Sequence, residues 1–372
     1  MAEKKKARRN GKIELYRFIF SMYVLFFHIG KYLLPPQKFT GGLDVGFFRH
    51  GAMGVEFFFL VSGWLMAASV SKKLAAKAEG EKAFVPKEGL DFLKRKYLSL
   101  MPQHLPAFAI AFAVYTYTRE LSPIATVKAI ADSIPNLFLI QMSGANFTNP
   151  NHLEWYISAM LIAMAILYPI LTKYYDAFAK YIAPLAVLLI CGYLIYTDKK
   201  LTGVTTWTGI CFKAVLRAVA EVALGFTSFE LSAYMKKKQF TTAQKVLLTL
   251  TEFGCLAGVS LYVISLLPTK YELYCLVLLF IMVTLAFSGV TCGTKALSNG
   301  FFCFLGKLSL PIYLSQIAAI DLTAARYSYK SGEDRIITAL IFTAVFTAVT
   351  FAAGEAWNAW KRHKANKQAQ TA

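Results

Sequence analysis

The sequence predicts an all-α integral membrane protein: a polytopic bundle of about ten transmembrane helices with both termini in the cytoplasm. Composition is the first reason, because 56% of the 372 residues are hydrophobic and only 16% are charged. The second is a series of apolar stretches long enough to cross the roughly 30 Å hydrocarbon core of a bilayer. The third is the placement of Lys and Arg at the chain ends and in alternate loops, which is the positive-inside pattern.

The apolar stretches are separated by short polar or breaker-rich segments. A further apolar piece, 134–142, is too short to span and is interpreted as interfacial or re-entrant. It lies in the longest outer segment, 118–152, which we expect to cover the functional site. The ten predicted helices cover residues 13–34, 51–70, 97–117, 153–172, 181–197, 209–232, 246–267, 271–290, 301–320 and 335–357.

The predicted domain organisation is simple. A basic cytoplasmic segment, 1–12, precedes one transmembrane domain, 13–360, and a basic cytoplasmic tail, 361–372, follows it. The net charge of +19 is explained by this topology, and no basic stretch outside the spans is interleaved with stacking aromatics, so no nucleic-acid partner is expected. The six cysteines show no CxxC spacing, so neither a metal site nor a disulfide framework is predicted.

The first predicted helix carries two ionisable side chains, Arg17 and His28, in otherwise lipid-compatible sequence. An ionisable group inside a bilayer costs roughly 2.5 kcal/mol or more, so it is expected to face a protein interior, a watery cavity or a ligand. Their spacing puts both on one helix face, about 16 Å apart along the axis. The ordinary alternatives are an Arg17 that snorkels to the headgroups and a His28 that is hydrogen-bonded in the interior.

The second predicted helix carries Glu56 at its outer end and the small pair Ser62-Gly63 further along. Small residues allow close helix approach, so Ser62 and Gly63 are interpreted as structural. Glu56 is either an interfacial carboxylate or a residue of the functional site.

The sixth predicted helix presents Lys213, Arg217 and Glu221 at four-residue steps, hence on one face. Charges in a span must look inward, and they are usually tolerated as pairs. We therefore favour a structural Arg217–Glu221 pair over a role for Lys213 or Arg217 in lining a ligand cavity.

Several motifs together resemble the membrane acyltransferase type 3 family, multi-helix O-acyltransferases whose hallmark is an Arg and a His in the first helix. The resemblance covers the first four helices and the ninth. Its motifs are ELYRF at 14–18 leading to FH at 27–28, GVEFFFLVSGWLM at 54–66, FLKRKYL at 92–98, WYIS at 155–158 and FLGKLSLPIYL at 304–314.

This chain departs from the family pattern at three places. The second of two arginines that the family often places before the third helix falls here on Leu98 or Ser99. A carboxylate after the Trp motif is replaced by Met160, and a His after the final Tyr-Leu is replaced by Gln316. The residues that could take over these roles are Arg95, Lys96 and Glu154.

The resemblance implies transfer of an acyl group, with acetyl expected, from cytoplasmic acyl-CoA to a hydroxyl of a glycan or lipid-linked sugar in the cell envelope. His28 suits the role of base, because burial disfavours the charged imidazolium and leaves a ring that accepts a proton. Arg17, Arg95 and Lys96 would meet the phosphates of acetyl-CoA, which guanidinium and ammonium groups bind well. The resemblance thus makes His28 and Arg17 the catalytic pair, with Arg17 as a ligand of either the donor phosphate or the thioester. His28 either deprotonates the acceptor directly or first carries the acyl group itself. No metal is expected, and the expected location is the inner membrane of a bacterium, in contact with membrane lipid.

Acceptor-binding candidates are the polar side chains near the outer end of this face. Each could also be an ordinary residue of a wet loop, because motif matches are hypotheses. The candidates are Arg49, His50, Glu56, His152, Glu154 and Tyr313.

A different class of function also fits an intramembrane histidine. In a proton-coupled transporter or exporter of a glycan or small solute, His28 would relay protons. Such a protein is expected to have paired broken helices and several mid-membrane carboxylates. Glu221 is the clear carboxylate of this kind, so the transporter is the second hypothesis.

Overall fold

The computed structural model describes residues 9–35, 46–76, 85–145 and 148–371. Within these ranges the regular structure is helical and no strand is present, which confirms the predicted all-α bundle. The ten long helices are α1 Gly11–Leu33, α2 Gly54–Ala75, α3 Val85–Thr118, α4 Trp155–Lys173, α5 Ala183–Asp198, α6 Lys213–Lys237, α7 Thr242–Ile264, α8 Glu272–Ser288, α9 Gly300–Arg326 and α10 Gly332–Thr371.

In the described part of the chain, nine helices are long and apolar enough to cross a membrane, so this is an integral membrane protein. Of the ten long helices, α6 is the one outside that group, and it carries Lys213, Arg217 and Glu221. All three side chains are buried against neighbouring helices. Helix α6 can therefore cross the membrane with the other helices, because its charged side chains are packed inside the bundle and not exposed to lipid.

Helix boundaries differ from the prediction mainly where the sequence is polar. Helix α3 begins at Val85, ahead of the predicted helix 97–117, and α10 continues through the basic tail to Thr371. Lys, Glu and Gln are good helix formers, so a helix can extend past its apolar part, which is the part that hydropathy detects.

In the described residues of the outer segment 118–152, which are 118–145 and 148–152, the structure has short helices and no span. Pro123–Asp132 and Ile134–Leu137 are α-helical, and Gln141–Ser143 forms a single 3₁₀ turn. Met142 of this segment is buried, and its backbone N–H donates to the Ser158 hydroxyl of α4 at 3.1 Å. The segment is therefore fixed to the bundle close to the start of α4.

Helix α1 runs parallel to α9 through the interior. Near its start, Gly306 of α9 lies against Glu14, where a Cβ would fall 2.0 Å from a Glu14 carboxylate oxygen. Towards its end, Ile29 and Leu33 pack in one apolar cluster with Ile320. The close crossing at one end and the apolar cluster at the other fix α1 against α9. They thereby fix the positions of Arg17 and His28.

Helices α2 and α6 make a second close crossing. A Cβ on Gly63 would lie 2.1 Å from the Val222 carbonyl oxygen, and one on Gly225 would lie 2.2 Å from that of Leu60. Backbone contact of this kind requires small residues. It brings the outer turn of α2, with Glu56, against the outer turn of α6.

Candidate active site

A cavity of about 860 Å³ opens at the end of the bundle where α1 ends and α2, α4, α6 and α8 begin. With the N terminus in the cytoplasm, as the charge pattern predicts, this end is the outer face of the membrane. Its volume lies within the range of small-molecule sites. We refer to it as the outer cavity, and its walls include the last turns of α1 and the loop 200–205.

His28 is part of the outer-cavity wall and is 8% exposed. Its Nδ1 lies 2.8 Å from the carbonyl oxygen of Val24, one turn earlier in α1. A carbonyl only accepts, so Nδ1 carries the hydrogen and donates it, and Nε2 of the neutral ring is the nitrogen that can accept a proton. The side chain of the buried Gln316 is also hydrogen-bonded to the His28 ring. The ring also stacks on Tyr32 with centroids 6.0 Å apart.

Four of the six predicted acceptor-binding residues also line the outer cavity: Arg49, His50, His152 and Tyr313. The Tyr313 hydroxyl donates to the Leu153 carbonyl at 2.8 Å, and the Tyr32 hydroxyl lies 3.3 Å from His152 Nε2. His50 Nε2 donates to the Leu267 carbonyl at 2.7 Å. Burial lowers the pKa of His50 below its ordinary value.

The other two predicted acceptor residues, Glu56 and Glu154, are fully buried and do not line the cavity. A Glu154 carboxylate oxygen lies 3.1 Å from His104 Nδ1, and His104 Nε2 donates to the Leu137 carbonyl at 3.0 Å. The structure thus turns Glu154 towards α3 and away from the space in which an acceptor would bind.

Glu56 belongs to a buried group of three charges, which we call the Arg217 cluster: Glu56, Arg217 and Glu221. The Arg217 guanidinium donates to Glu56 of α2 through Nη2 and to Glu221 through Nε, the latter at 3.1 Å. Arg217 also lies over the Trp155 ring, 5.5 Å from its centroid. The Arg217–Glu221 pair is therefore present and shares its cation with a third residue on another helix.

At the inner end of α1, Arg17 and Lys96 are brought together. Arg17 is half-buried, with Nη1 3.4 Å from a Glu14 carboxylate oxygen, and Lys96 lies close enough to be repelled by the Arg17 charge. Arg95 is exposed, on a different side of α3. Next to Arg17 is a buried polar pair, the Tyr156 and Ser62 hydroxyls, 3.4 Å apart.

Sequence reasoning did not single out the loop 200–205 or the residue that fixes it, Glu272. One Glu272 oxygen accepts the N–H groups of Leu201 and Thr202 at 2.6 and 2.8 Å, and the other accepts the Thr202 hydroxyl at 2.6 Å. The available signal was a carboxylate in the first turn of the predicted helix 271–290. The sequence did not show which loop Glu272 would fix, because Glu272 and the loop 200–205 are distant in sequence.

Two more cavity residues were missed, Lys31 and Lys200. Both lie next to breaks in predicted spans, where basic residues are common and carry little information on their own. Among the described residues, no group of three or more His, Cys, Asp or Glu side chains is arranged to hold a metal ion.

The family profile for an acyltransferase domain matches residues 10–355, which is nearly the whole chain. No curated protein and no solved structure matches it. The profile extends over all ten helices and therefore includes both the His28 cavity and the Arg17 end of α1. The chain belongs to the acyltransferase type 3 family and is an integral membrane acyltransferase.

Proposed function

We propose that this protein transfers an acetyl group from cytoplasmic acetyl-CoA to a hydroxyl of a glycan or lipid-linked sugar, in the inner membrane of a bacterium. The observation that carries the proposal is the state of His28. Its Nδ1 is held by the Val24 carbonyl, and the ring forms part of a cavity wall. A neutral imidazole whose Nε2 carries the lone pair, in the wall of a ligand-sized cavity, is suited to general-base catalysis.

In the proposed reaction, His28 Nε2 removes the proton of the acceptor hydroxyl. The hydroxyl oxygen bonds to the acyl carbon, the carbon–sulfur bond of the thioester breaks, and the sulfur leaves as a thiolate. The thiolate takes the proton from the His28 imidazolium, which returns the ring to its neutral form. The Val24 carbonyl continues to accept from Nδ1 when the ring is charged, so it supports the imidazolium that forms during the step.

The donor would bind from the inner end of α1. Arg17 and Lys96 lie together there, and two neighbouring cations suit the phosphates of acetyl-CoA. The exposed Arg95 would contact phosphate only at the edge of this site. About 16 Å of helix separates Arg17 from His28, a distance that the extended arm of the donor would have to cover.

Aromatic and hydroxyl side chains occupy the interior between these two ends. The rings of Tyr156 and Tyr313 have centroids 5.7 Å apart; Tyr156 neighbours Arg17, and Tyr313 lines the outer cavity. Phe58 packs against both rings, with centroid distances of 6.0 and 6.4 Å. We propose that the thioester passes between these side chains to reach His28.

The test is loss of the acetyl-CoA thioester by the purified protein with a panel of glycan acceptors. We expect His28→Ala to abolish turnover and Arg17→Ala to raise the donor concentration required. His363→Ala and Arg362→Ala are matched controls, because both residues are exposed in the last part of α10. If the parent protein binds no acyl-CoA, or if both test variants turn over normally, the proposal fails and proton-coupled transport becomes the leading hypothesis.

A further inference from the structure

The charged side chains that line the outer cavity are mostly basic. Among the described residues, four cationic side chains and one carboxylate contribute to its walls: Lys31, Arg49, Lys200 and Arg217, with Glu272. The three basic residues other than Arg217 are not fully buried, and Arg49 and Lys31 are exposed. The ammonium groups of Lys31 and Lys200 therefore present positive charge to whatever enters the cavity.

The Arg217 cluster adds no net positive charge to the cavity. Arg217 contributes to the wall, whereas Glu56 and Glu221 lie behind it, buried between α2 and α6. Both carboxylates are bonded to the guanidinium and offset its charge, since a buried cation requires a partner. The ammonium groups that a ligand can meet are those of Lys31 and Lys200, which are not fully buried.

Among the wall residues that the structure describes, the one acidic group is Glu272, and it is already saturated with donors. Both Glu272 oxygens accept hydrogen bonds from the loop 200–205, through Leu201 and Thr202. Hydrogen bonds to a carboxylate offset its negative charge locally. Glu272 thus serves to hold the loop that carries Lys200.

A second contact fixes the same loop from α6. The Lys213 ammonium donates to the Lys200 carbonyl at 2.8 Å and to the Thr202 carbonyl at 3.0 Å, and it is paired with Asp198. The loop is therefore held at both faces, and the Lys200 side chain starts from a fixed backbone position. A pre-formed wall of this kind reduces the ordering cost of binding.

Lys31 brings positive charge next to the proposed base. Its ammonium is close enough to act electrostatically on both His28 and His152, and it lies 4.9 Å from the centroid of the Tyr32 ring. An anionic group bound near Lys31 would therefore lie close to His28.

We propose that the acceptor carries an oxyanion, a phosphate or a carboxylate close to the hydroxyl that is acylated, and that Lys31 and Lys200 bind it. Guanidinium and ammonium groups are the side chains best matched to these oxyanions. The inference rests on the proposed function in that it concerns the acceptor of the same site. It goes further by requiring that a neutral sugar be a poor ligand.

The test measures binding rather than turnover, with the protein in phosphatidylcholine nanodiscs. Octyl glucuronide and octyl glucoside share a lipid tail and a sugar ring and differ in one carboxylate, and glucose 1-phosphate with glucose gives the phosphate comparison. The test variant combines Lys31→Gln with Lys200→Gln, and Lys245→Gln, at an exposed residue of α7, is the control. A final arm adds phosphatidylglycerol to the nanodiscs, to ask whether a lipid headgroup occupies the same site.

We expect each anionic probe to bind at least about tenfold more tightly than its neutral partner, which corresponds to roughly 1.4 kcal/mol. The double variant should lose this preference, added salt should weaken it, and Lys245→Gln should keep it. Competition by phosphatidylglycerol would identify a lipid headgroup as the source of the oxyanion, and its absence would point to the glycan. Equal binding of charged and neutral probes, or a preference that survives in the double variant, would overturn the inference.

The two proposals can fail separately. Acyl transfer to a neutral glycan without any charge preference would overturn the oxyanion inference and leave the proposed function standing. A charge preference in a protein that never consumes acyl-CoA thioester would support the oxyanion inference and overturn the proposed function.

Discussion

Helix α1 buries a titratable side chain near each end, Lys12 at the inner end and His28 at the outer end. The two side chains have different hydrogen-bond partners and different access to a cavity. Lys12 is 0% exposed, and its ammonium donates to Glu252 and to Thr291, both at 2.8 Å. Tyr16 donates to the other Glu252 oxygen at 2.7 Å. The inner group is thus a closed network in which cation and carboxylate satisfy each other.

His28 is almost as deeply buried, at 8% exposed, but only one of its ring nitrogens is bound by the backbone. The ring is part of the outer-cavity wall, whereas Lys12 is not. Burial of an ionisable group therefore does not by itself mark a functional residue in this protein. The distinguishing feature is that the His28 ring lines a ligand-sized cavity, whereas Lys12 is enclosed by its ion-pair partner.

The largest expected effect comes from removing Nε2 of His28 while keeping the backbone bond. In His28→Asn the side-chain amide nitrogen replaces Nδ1 as donor to Val24, but nothing replaces Nε2. We expect acyl transfer to fall by about 10²- to 10⁴-fold, the usual contribution of a general base, with an unchanged melting temperature. A steady-state assay paired with thermal unfolding in detergent checks both parts, and appreciable activity in His28→Asn would remove His28 from the mechanism.

Breaking the Lys12 network should give the opposite pattern. Lys12→Ala leaves Glu252 as an uncompensated buried charge, which we expect to lower the free energy of unfolding by about 3–5 kcal/mol. The specific activity of the protein that remains folded should not change. Thermal unfolding and activity per folded molecule are the measurements.

The paired variant Lys12→Met with Glu252→Leu is the control for that prediction, because replacing a whole buried ion pair by apolar residues is often neutral. Stability should return close to that of the parent. A loss of activity in this stable double variant would show that the inner network is also part of the catalytic machinery.

Arg17 lies between these two cases on the same helix, and its effect should be intermediate. If it binds donor phosphate, Arg17→Ala should raise the KM for acetyl-CoA by roughly tenfold, equivalent to about 1.4 kcal/mol, the scale of one hydrogen bond to a charged group. Arg17→Lys should recover part of the loss, and Arg362→Ala should behave like the parent. A normal KM in Arg17→Ala, with reduced stability, would make Arg17 structural like Lys12.

The smallest effect concerns His50, which lies before α2. Burial lowers the pKa of His50 in the folded state, so the unfolded chain binds the proton more readily. The resulting stability is present above the ordinary histidine pKa and is lost as pH falls below it. We expect the melting temperature to fall less between pH 7 and pH 5 in His50→Gln, which keeps a donor for Leu267, than in the parent. His363→Gln should follow the parent, and identical profiles for His50→Gln and the parent would exclude this contribution.

Much of the fold follows from local patterns in the sequence. Hydropathy over about twenty residues locates a span whatever its neighbours are, and each of the ten predicted stretches corresponds to a long helix. Helical periodicity also placed Arg217 and Glu221 on one face, because residues four apart are neighbours on any helix. The start of α3 and the end of α10 were not predicted, because charged helix formers extend a helix without raising its hydropathy.

The sequence alone determined the helix count, the all-α class and the family, since these depend on composition, local periodicity and short motifs. Only the tertiary structure decided which charged groups meet. Glu56 joins Arg217 from 161 positions away, Glu154 turns to His104, and Lys12 joins Glu252. Periodicity specifies the face of a helix on which a side chain lies, but the partner on that face depends on which helix packs there. For the same reason, the basic lining of the outer cavity emerged only when the ends of five helices and one loop were placed together.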